Sequence, residues 1–228
     1  GDWLAPDGTA FSGTLNAQSE MAGTYTYVVV VPSPCVNDTA QVQVGVTLAV
    51  DAGIDSSITL CSSNPPIDLL AQLGGSPDES GTWSGPGGPS SSSFNPSYSA
   101  PGAYTFTVQG TAPCPNATAT VTIAVNPMPN AGTDGTLSLC PEAAPANMFA
   151  SLGGNPDLGG TWTTPGGIPH GNMFDPALDP TGAYTYTVSG TAPCLNDNST
   201  ATVNIYFVPA PNAGNDAVSC TFDGLLNA

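Results

Sequence analysis

The chain of 228 residues contains no lysine and no arginine. That absence excludes several kinds of chemistry at once. No basic patch exists to neutralise the phosphates of a nucleic acid or an anionic lipid surface, so neither is expected as a partner. No amine is available for a Schiff base or an isopeptide cross-link, and no guanidinium for a phosphate clamp. Charge of the other sign is thin as well. The 17 Asp plus Glu are the whole charged complement, 7% of residues, and set a net charge of −17. Such a Thr/Ser/Gly/Pro surface with a weak negative field resists non-specific association and is unlike the dense acidic run of a disordered tail. There is one histidine and no Cys-x-x-Cys, so no zinc set forms. A nucleophile would lack a base, and no repeated carboxylate pair stands out, so the chain reads as a non-enzyme. No apolar run of membrane length, leader or initiator Met is present. The expectation is a mature piece of a larger secreted protein, attached to a membrane only through regions outside this chain.

What is present is a repeat. Pro101–Val125, PGAYTFTVQGTAPCPNATATVTIAV, returns at 181–206 as TGAYTYTVSGTAPCLNDNSTATVNIY and at 22–46 as AGTYTYVVVVPSPCVNDTAQVQVGV. Each copy alternates with period two on both sides of a Pro-Cys loop, the pattern of a half-buried antiparallel hairpin. Tyr104, Phe106 and Val108 share one face, as do Ala119, Val121, Ile123 and Val125. Three markers keep one step of 79 or 80 residues: Trp3, Trp83 and Trp162; Cys35, Cys114 and Cys194; Cys61, Cys140 and Cys220. The unit is therefore a small domain of about 80 residues. The 27 glycines and 24 prolines fall in periodic turns, which favours folded sandwiches with tight corners over disorder.

The units divide the chain as follows. Residues 1–48 are the C-terminal part of one repeat, beginning at its Trp strand. Residues 49–127 and 128–210 are complete repeats. Residues 211–228 hold the opening strands of a further repeat. In a complete repeat the reading is an opening strand (DAGIDSSITLC, AGTDGTLSLC), a second strand (IDLLAQLGG, NMFASLGG), a Trp strand (GTWSGPGG, GTWTTPGG), a short strand near Phe94 or Phe174, then the hairpin. The PNAG segments at 129–132 and 211–214 are short, proline-stiffened joints. The split repeat is either a window on a longer array or a unit in which the opening strands of one chain complete residues 1–48 of the next.

This succession of AGxDxxxxLC, L-x-x-LGG, GTW, GAYTYTV, a Pro-Cys loop and TATVxI resembles the Ig-like/PKD-like modules of Bacteroidota, and the likeness covers all the units. The resemblance implies an all-β fold of tandem Ig-like antiparallel sandwiches in large secreted cell-surface proteins, which often end in a sorting domain. No sorting domain is visible here, and the lack of Lys and Arg departs from the usual modules.

Candidate site residues follow from the repeat. Gly-x-Tyr at Tyr25, Tyr104 and Tyr184 has the form of a tyrosine corner, and Trp3, Trp83 and Trp162 fit a buried Trp strand; all six are assigned to the cores. Cys35, Cys61, Cys114, Cys140, Cys194 and Cys220 are disulfide candidates, implying an oxidising compartment. Two pairings stay open. Within repeats, Cys61–Cys114 and Cys140–Cys194 would leave Cys35 and Cys220 to meet when the split repeat is completed. Across joints, Cys35–Cys61, Cys114–Cys140 and Cys194–Cys220 would use all six. Strand topology disfavours the first, whereas the resembling modules, with both cysteines in one unit, favour it. Sequons at Asn37–Thr39, Asn116–Thr118 and Asn198–Thr200 fall at the same place in each of the three hairpins, as candidate glycosylation sites set against chance triplets in Asn/Thr-rich strands; Asp38-Thr39-Ala40 also resembles the short O-glycosylation site of Bacteroidota. Asp51, Asp55, Asp134 and Asp216 recur at the joints, as Ca²⁺ ligands or, with more weight, as turn and cap residues; no other cofactor is expected. Asp78 and Asp157 read as turn formers.

The function these features favour is a structural module of an extracellular bacterial fibre, stalk or filament at the cell surface, whose partner is another copy of itself. The alternative is an adhesin module binding glycan or another cell through unit-specific loop residues such as Phe11, His170 and Met173. The counterparts of His170 in the other repeats are expected to be Ser and Ala/Thr-type.

Overall fold

The computed structural model describes residues 1–207. The segment 211–228, with Asp216 and Cys220, lies outside the described residues. Among the described residues there are three main sheets and two short two-stranded pairs, each taking its strands from one repeat. In residues 1–48, β1 (Asp2–Leu4), β2 (Ala10–Phe11), β3 (Gly23–Val29) and β4 (Asp38–Val44) form a four-stranded sheet in the order β2-β1-β3-β4. The next repeat contributes β5 (Ser56–Cys61), β6 (Ile67–Asp68), β7 (Gly81–Gly85), β8 (Gly88–Ser90), β9 (Ser93–Phe94), β10 (Gly102–Val108) and β11 (Ala117–Asn126). Its main sheet runs β5-β11-β10-β7-β8, faced by the short pair β6-β9. The following repeat matches it strand for strand: β12 (Gly135–Leu139), β13 (Ala146–Asn147), β14 (Thr161–Thr163), β15 (Pro169–His170), β16 (Met173–Phe174), β17 (Gly182–Val188) and β18 (Asp197–Ile205), in the order β12-β18-β17-β14-β15 with the pair β13-β16.

By contact the chain divides into two compact units. The first comprises 1–58, 66–95 and 99–123; the second comprises 59–65, 96–98 and the chain from 124 onward.

Period-two patterning builds the cores. Tyr104, Phe106 and Val108 on β10 and Ala119, Val121 and Ile123 on β11 are all buried, while the threonines between them face outward. Tyr104 lies opposite Val121 and Phe106 opposite Ala119. Phe94 stands edge-on to Tyr104 at 5.4 Å, and Trp83 packs on Phe106 at 5.0 Å. Phe174–Tyr184 and Trp162–Tyr186 repeat both contacts at 5.6 and 5.0 Å. Each buried aromatic of this kind removes enough apolar surface from water to contribute about 1.5–3 kcal/mol. The tyrosine hydroxyl donates four residues back in every repeat: Tyr25 to Met21 O, Tyr104 to Ala100 O and Tyr184 to Pro180 O, at 2.9, 2.8 and 2.7 Å. That bond satisfies a polar group whose ring is buried, which is the logic of a tyrosine corner.

Two expectations about elements are corrected. The second strand of each repeat is only two residues long and gives way to a 3₁₀ turn, Leu70–Gln72 or Met148–Ser151. The cause is local: Asp68 Oδ1 accepts the Leu70 N–H and Asn147 Oδ1 accepts the Phe149 N–H, bending the chain out of the ladder. Trp3 is half-buried, whereas Trp83 and Trp162 are 7% and 4% exposed. The reason is that residues 1–48 supply one sheet and no second layer over it.

Candidate functional site

The feature that sets residues 1–48 apart is the outer edge of β4. In the complete repeats the last strand is covered by the opening strand, β5 beside β11 and β12 beside β18. The β12–β18 pairing is parallel, with Gly135 opposite Ala201 and Leu139 opposite Ile205. An aspartate fastens this pairing in both repeats. Asp55 Oδ1 accepts the Thr120 N–H at 2.8 Å, and Asp134 Oδ1 accepts the Thr200 N–H at 2.7 Å. Strand β4 is the last in its sheet and has no such neighbour among the described residues. Its register sets Val42 opposite Tyr25, as Val121 is opposite Tyr104 and Ala201 opposite Tyr184. Val121 and Ala201 are 0% exposed, but Val42 is 49% exposed. Trp3, Phe11, Leu15, Tyr25, Val42 and Val44 line an apolar cleft there. An open sheet edge above a bare apolar face is the kind of surface that takes up a further strand.

Asp51, Asp55 and Asp134, the candidate calcium aspartates among the described residues, have protein partners. Beyond the two clasps, Asp51 Oδ1 accepts the Gly53 N–H at 2.8 Å, and the Asp51 N–H donates to Asp78 Oδ2 at 2.9 Å. Among the described residues no three His, Cys, Asp or Glu side chains gather as a metal site.

The cysteines follow neither expected pairing. Cys61 is bonded to Cys194, 133 residues apart, with a Cα–Cα distance of 4.9 Å. Both lie in the second compact unit. Cys35, Cys114 and Cys140 are free thiols. The within-repeat pairing fails because the opening strand runs parallel to the last strand. Its cysteine emerges beside the far end of that strand, a strand length of roughly 30 Å from the hairpin loop that holds the other cysteine. The observed bond instead joins the opening-strand cysteine of one repeat to the hairpin cysteine of the next. The cradle around it is built from backbone. Asn126 O, at the end of β11, accepts from the Ser62 N–H at 2.9 Å and lies 3.4 Å from Cys194 Sγ. The Asn126 amide donates to Ala192 O at 2.7 Å, holding the hairpin loop down.

All three hairpin loops have one construction. An asparagine Oδ1 ties the loop across its base: Asn37 to the Val31 N–H, Asn116 to the Gly110 N–H and Asn196 to the Gly190 N–H, at 3.1, 3.0 and 3.0 Å. This corrects the third sequon. Asn196, not Asn198, matches Asn37 and Asn116; Asn198 is two residues further, on β18, where its Oδ1 accepts from the Thr187 hydroxyl.

Of the loop residues, Phe11 and His170 turn out to be counterparts. Each lies opposite the Trp of its repeat, Phe11 facing Trp3 and His170 facing Trp162, as Ser90 faces Trp83. Each packs on the corner tyrosine, Phe11 on Tyr25 at 4.7 Å and His170 on Tyr184 at 5.1 Å. The counterparts of His170 are thus Ser90 and Phe11, not an Ala/Thr-type residue. Met173, 45% exposed, stands on β16. A groove beside Trp162 is lined by Phe149, Leu158, His170 and Tyr186, and the equivalent groove beside Trp83 has Leu70, Glu79, Ser90 and Phe106.

His170 Nε2 pairs with Asp179 Oδ1 at 3.1 Å. Burial pushes the imidazole pKa down, but the Asp179 hydrogen bond, the Gly171 carbonyl and the Asp179 charge outweigh it and raise the pKa. Burial pushes Asp179 up, and the Asp175 N–H and His170 outweigh that and lower it. The histidine contribution to stability is therefore full below about pH 6.5 and lost as pH rises through the raised folded value. The aspartate contribution is full above about pH 4 and lost as pH falls through its lowered folded value. His170→Ala is expected to lower the thermal midpoint more at pH 5.5 than at pH 8.5; equal losses at both would show that packing on Tyr184, not the ion pair, is what the histidine supplies.

The sheets define tandem Ig-like β-sandwich repeats. The solved structures the chain resembles are of the same kind. A three-Ig structure of titin domains I67–I69 in an E-to-A mutated variant aligns with a TM-score of 0.50 at 14% identity, over 90% of this chain and 87% of that one. The I-band fragment I67–I69 from titin aligns with the same values. At that identity the likeness shows the fold. No protein-family model matches the chain, and no curated protein matches it in sequence. The Cys61–Cys194 disulfide fits an oxidising compartment. Among the described residues no helix is long and apolar enough to cross a membrane.

Proposed function

We propose that this chain is a structural repeat module of an extracellular bacterial fibre or stalk, assembling end to end by strand complementation. The observation that carries the reading is the bare β4 edge, with Val42 half exposed where its counterparts are fully buried. The occupant is residues 211–220 of a second copy. Their sequence, PNAGNDAVSC, resembles the opening strand PNAGTDGTLSLC at 129–140, with Asp216 in the place of the clasping aspartate and two residues fewer between it and the cysteine. Donation from one chain into the next is a head-to-tail contact, and such contacts propagate into filaments. A protein without basic residues offers trypsin-like proteases no site, which suits a durable extracellular rod.

The test is negative-stain microscopy of the full chain, with and without an excess of a peptide spanning 211–228. Filaments that shorten or vanish with the peptide are expected. Isolated rods at every concentration would overturn the reading.

A second reading, an adhesin module binding glycan, is favoured by the groove beside Trp162, where the exposed Leu158 and the half-buried Phe149 and His170 adjoin. Binding on a glycan array that is lost in Leu158→Ser, at an exposed side chain of that groove, would support it.

A further inference from the structure

The one disulfide formed within the described residues gives a rule, and the free thiols are the open halves of further bonds of the same kind. We infer that Cys140 of one copy of this chain is joined to Cys35 of the next, and Cys220 of the first to Cys114 of the next, so that every end-to-end junction carries two disulfides. The inference rests on the end-to-end reading above and deepens it.

The argument starts from the hairpin side. Cys35, Cys114 and Cys194 occupy one turn: their N–H groups donate to Pro32 O, Thr111 O and Thr191 O at 3.1, 2.9 and 2.9 Å. The cradle recurs as well. Cys114 Sγ lies 3.3 Å from Thr47 O, as Cys194 Sγ lies 3.4 Å from Asn126 O, and Thr47 precedes Asn126 by one repeat step. The Cys114 thiol is therefore already seated against the end of the preceding repeat. In the Cys194 cradle the third member is Cys61, which the opening strand β5 delivers beside the end of β11. In the Cys114 cradle that strand would lie beside β4, which is the bare edge. The segment that resembles an opening strand for it, 211–220, ends in Cys220, which keeps the 80-residue step from Cys140 but has two residues fewer between it and its aspartate than Cys140 has.

The opening-strand side agrees. After Cys61 the chain turns with the Asn64 N–H on Cys61 O at 2.9 Å; after Cys140 it turns with the Ala143 N–H on Cys140 O at 3.1 Å. The last strand runs on past both, with the Ser62 N–H on Asn126 O and the Tyr206 N–H on Leu139 O, each at 2.9 Å. Cys61 is buried under its partner loop, while Cys140 is exposed. By the same rule its partner is the hairpin cysteine of the repeat that follows. When residues 211–228 and residues 1–48 of a second copy make that repeat, its hairpin cysteine is Cys35. The six cysteines then close with none left over.

Each bond forms when two thiols lose two protons and two electrons to a disulfide oxidant. With oxidised glutathione the oxidant is reduced to two glutathione thiols, and one protein S–S bond replaces one glutathione S–S bond.

The experiment mixes equal amounts of ¹⁴N- and ¹⁵N-labelled full chain, reduced, with oxidised glutathione. Remaining thiols are then alkylated and non-reduced peptides, cut at acidic residues, are read by mass spectrometry. The expected result is Cys61–Cys194 of single label, with Cys35–Cys140 and Cys114–Cys220 about half of mixed label, and a ladder of multimers on a non-reducing gel. The double variant Cys114→Ser/Cys140→Ser should abolish the ladder while keeping Cys61–Cys194; either single variant should keep it. Alkylated Cys35, Cys114 and Cys140, a Cys114–Cys140 bond, or single-label links only would overturn the inference. Microscopy of the same samples separates the two claims: filaments without these links leave the end-to-end reading standing, whereas rods alone remove both.

Discussion

Replacing Cys61 and Cys194 together by serine is expected to lower the unfolding free energy of the second compact unit by about 5 kcal/mol, the chain-entropy value for a loop closed across so long a separation. The bond spans 133 residues, so the open chain gains a large ensemble that the cross-linked one lacks. The folded state loses little else. Ser62 still donates to Asn126 O and the Asn126 amide still holds Ala192 O, so the cradle persists without its sulfurs. Urea titration of the wild-type and double-serine chains under non-reducing conditions reads the difference. Adding reductant should remove the difference between the wild type and the variant. A wild type whose midpoint ignores reductant would show that the bond constrains nothing the rest of the unit does not already hold.

Phe174→Ala is expected to cost about 3–5 kcal/mol, the range for truncating a fully buried aromatic. Phe174 is 0% exposed and stands edge-on to Tyr184, among Met148, Trp162 and Val203. It comes from the thin layer, the two-residue strand β16, so no neighbour on its own strand can move in to fill the space. A domain of this size holds only about 5–15 kcal/mol in all, so the variant would lose a large share of its stability. The adjacent Met173→Ala, at a side chain 45% exposed, should shift stability by no more than about 0.5 kcal/mol. Denaturation of both, with equal slopes, checks the contrast. A Phe174 variant as stable as the Met173 one would mean that the thin layer contributes no core.

Much of this protein was written in the sequence because its signals are local and repeated. The period of two in GAYTFTV and TATVTIAV fixed which side chains face inward, and one step shared by Trp, Tyr and Cys fixed the repeat length. The Gly-x-Tyr corner needs only a carbonyl four residues back, which any chain turning there provides. The aspartates at the joints were legible as turn residues, but their clasp on the last strand was not, because Asp55 and Thr120 are 65 residues apart. The equivalence of Phe11, Ser90 and His170 was hidden in the same way: it is set by cross-strand register to the Trp of each repeat, and Ser90 lies one residue nearer its Trp83 than Phe11 and His170 lie to Trp3 and Trp162. The disulfide was decided by tertiary structure alone. Equivalent cysteines keep the same 79- or 80-residue step whichever way they pair. Only the parallel placement of the opening strand against the last strand carries its cysteine away from the hairpin of its own repeat and toward that of the next. A strand's direction in a sheet is chosen by the packing of both faces of the sandwich, and no window of sequence contains it.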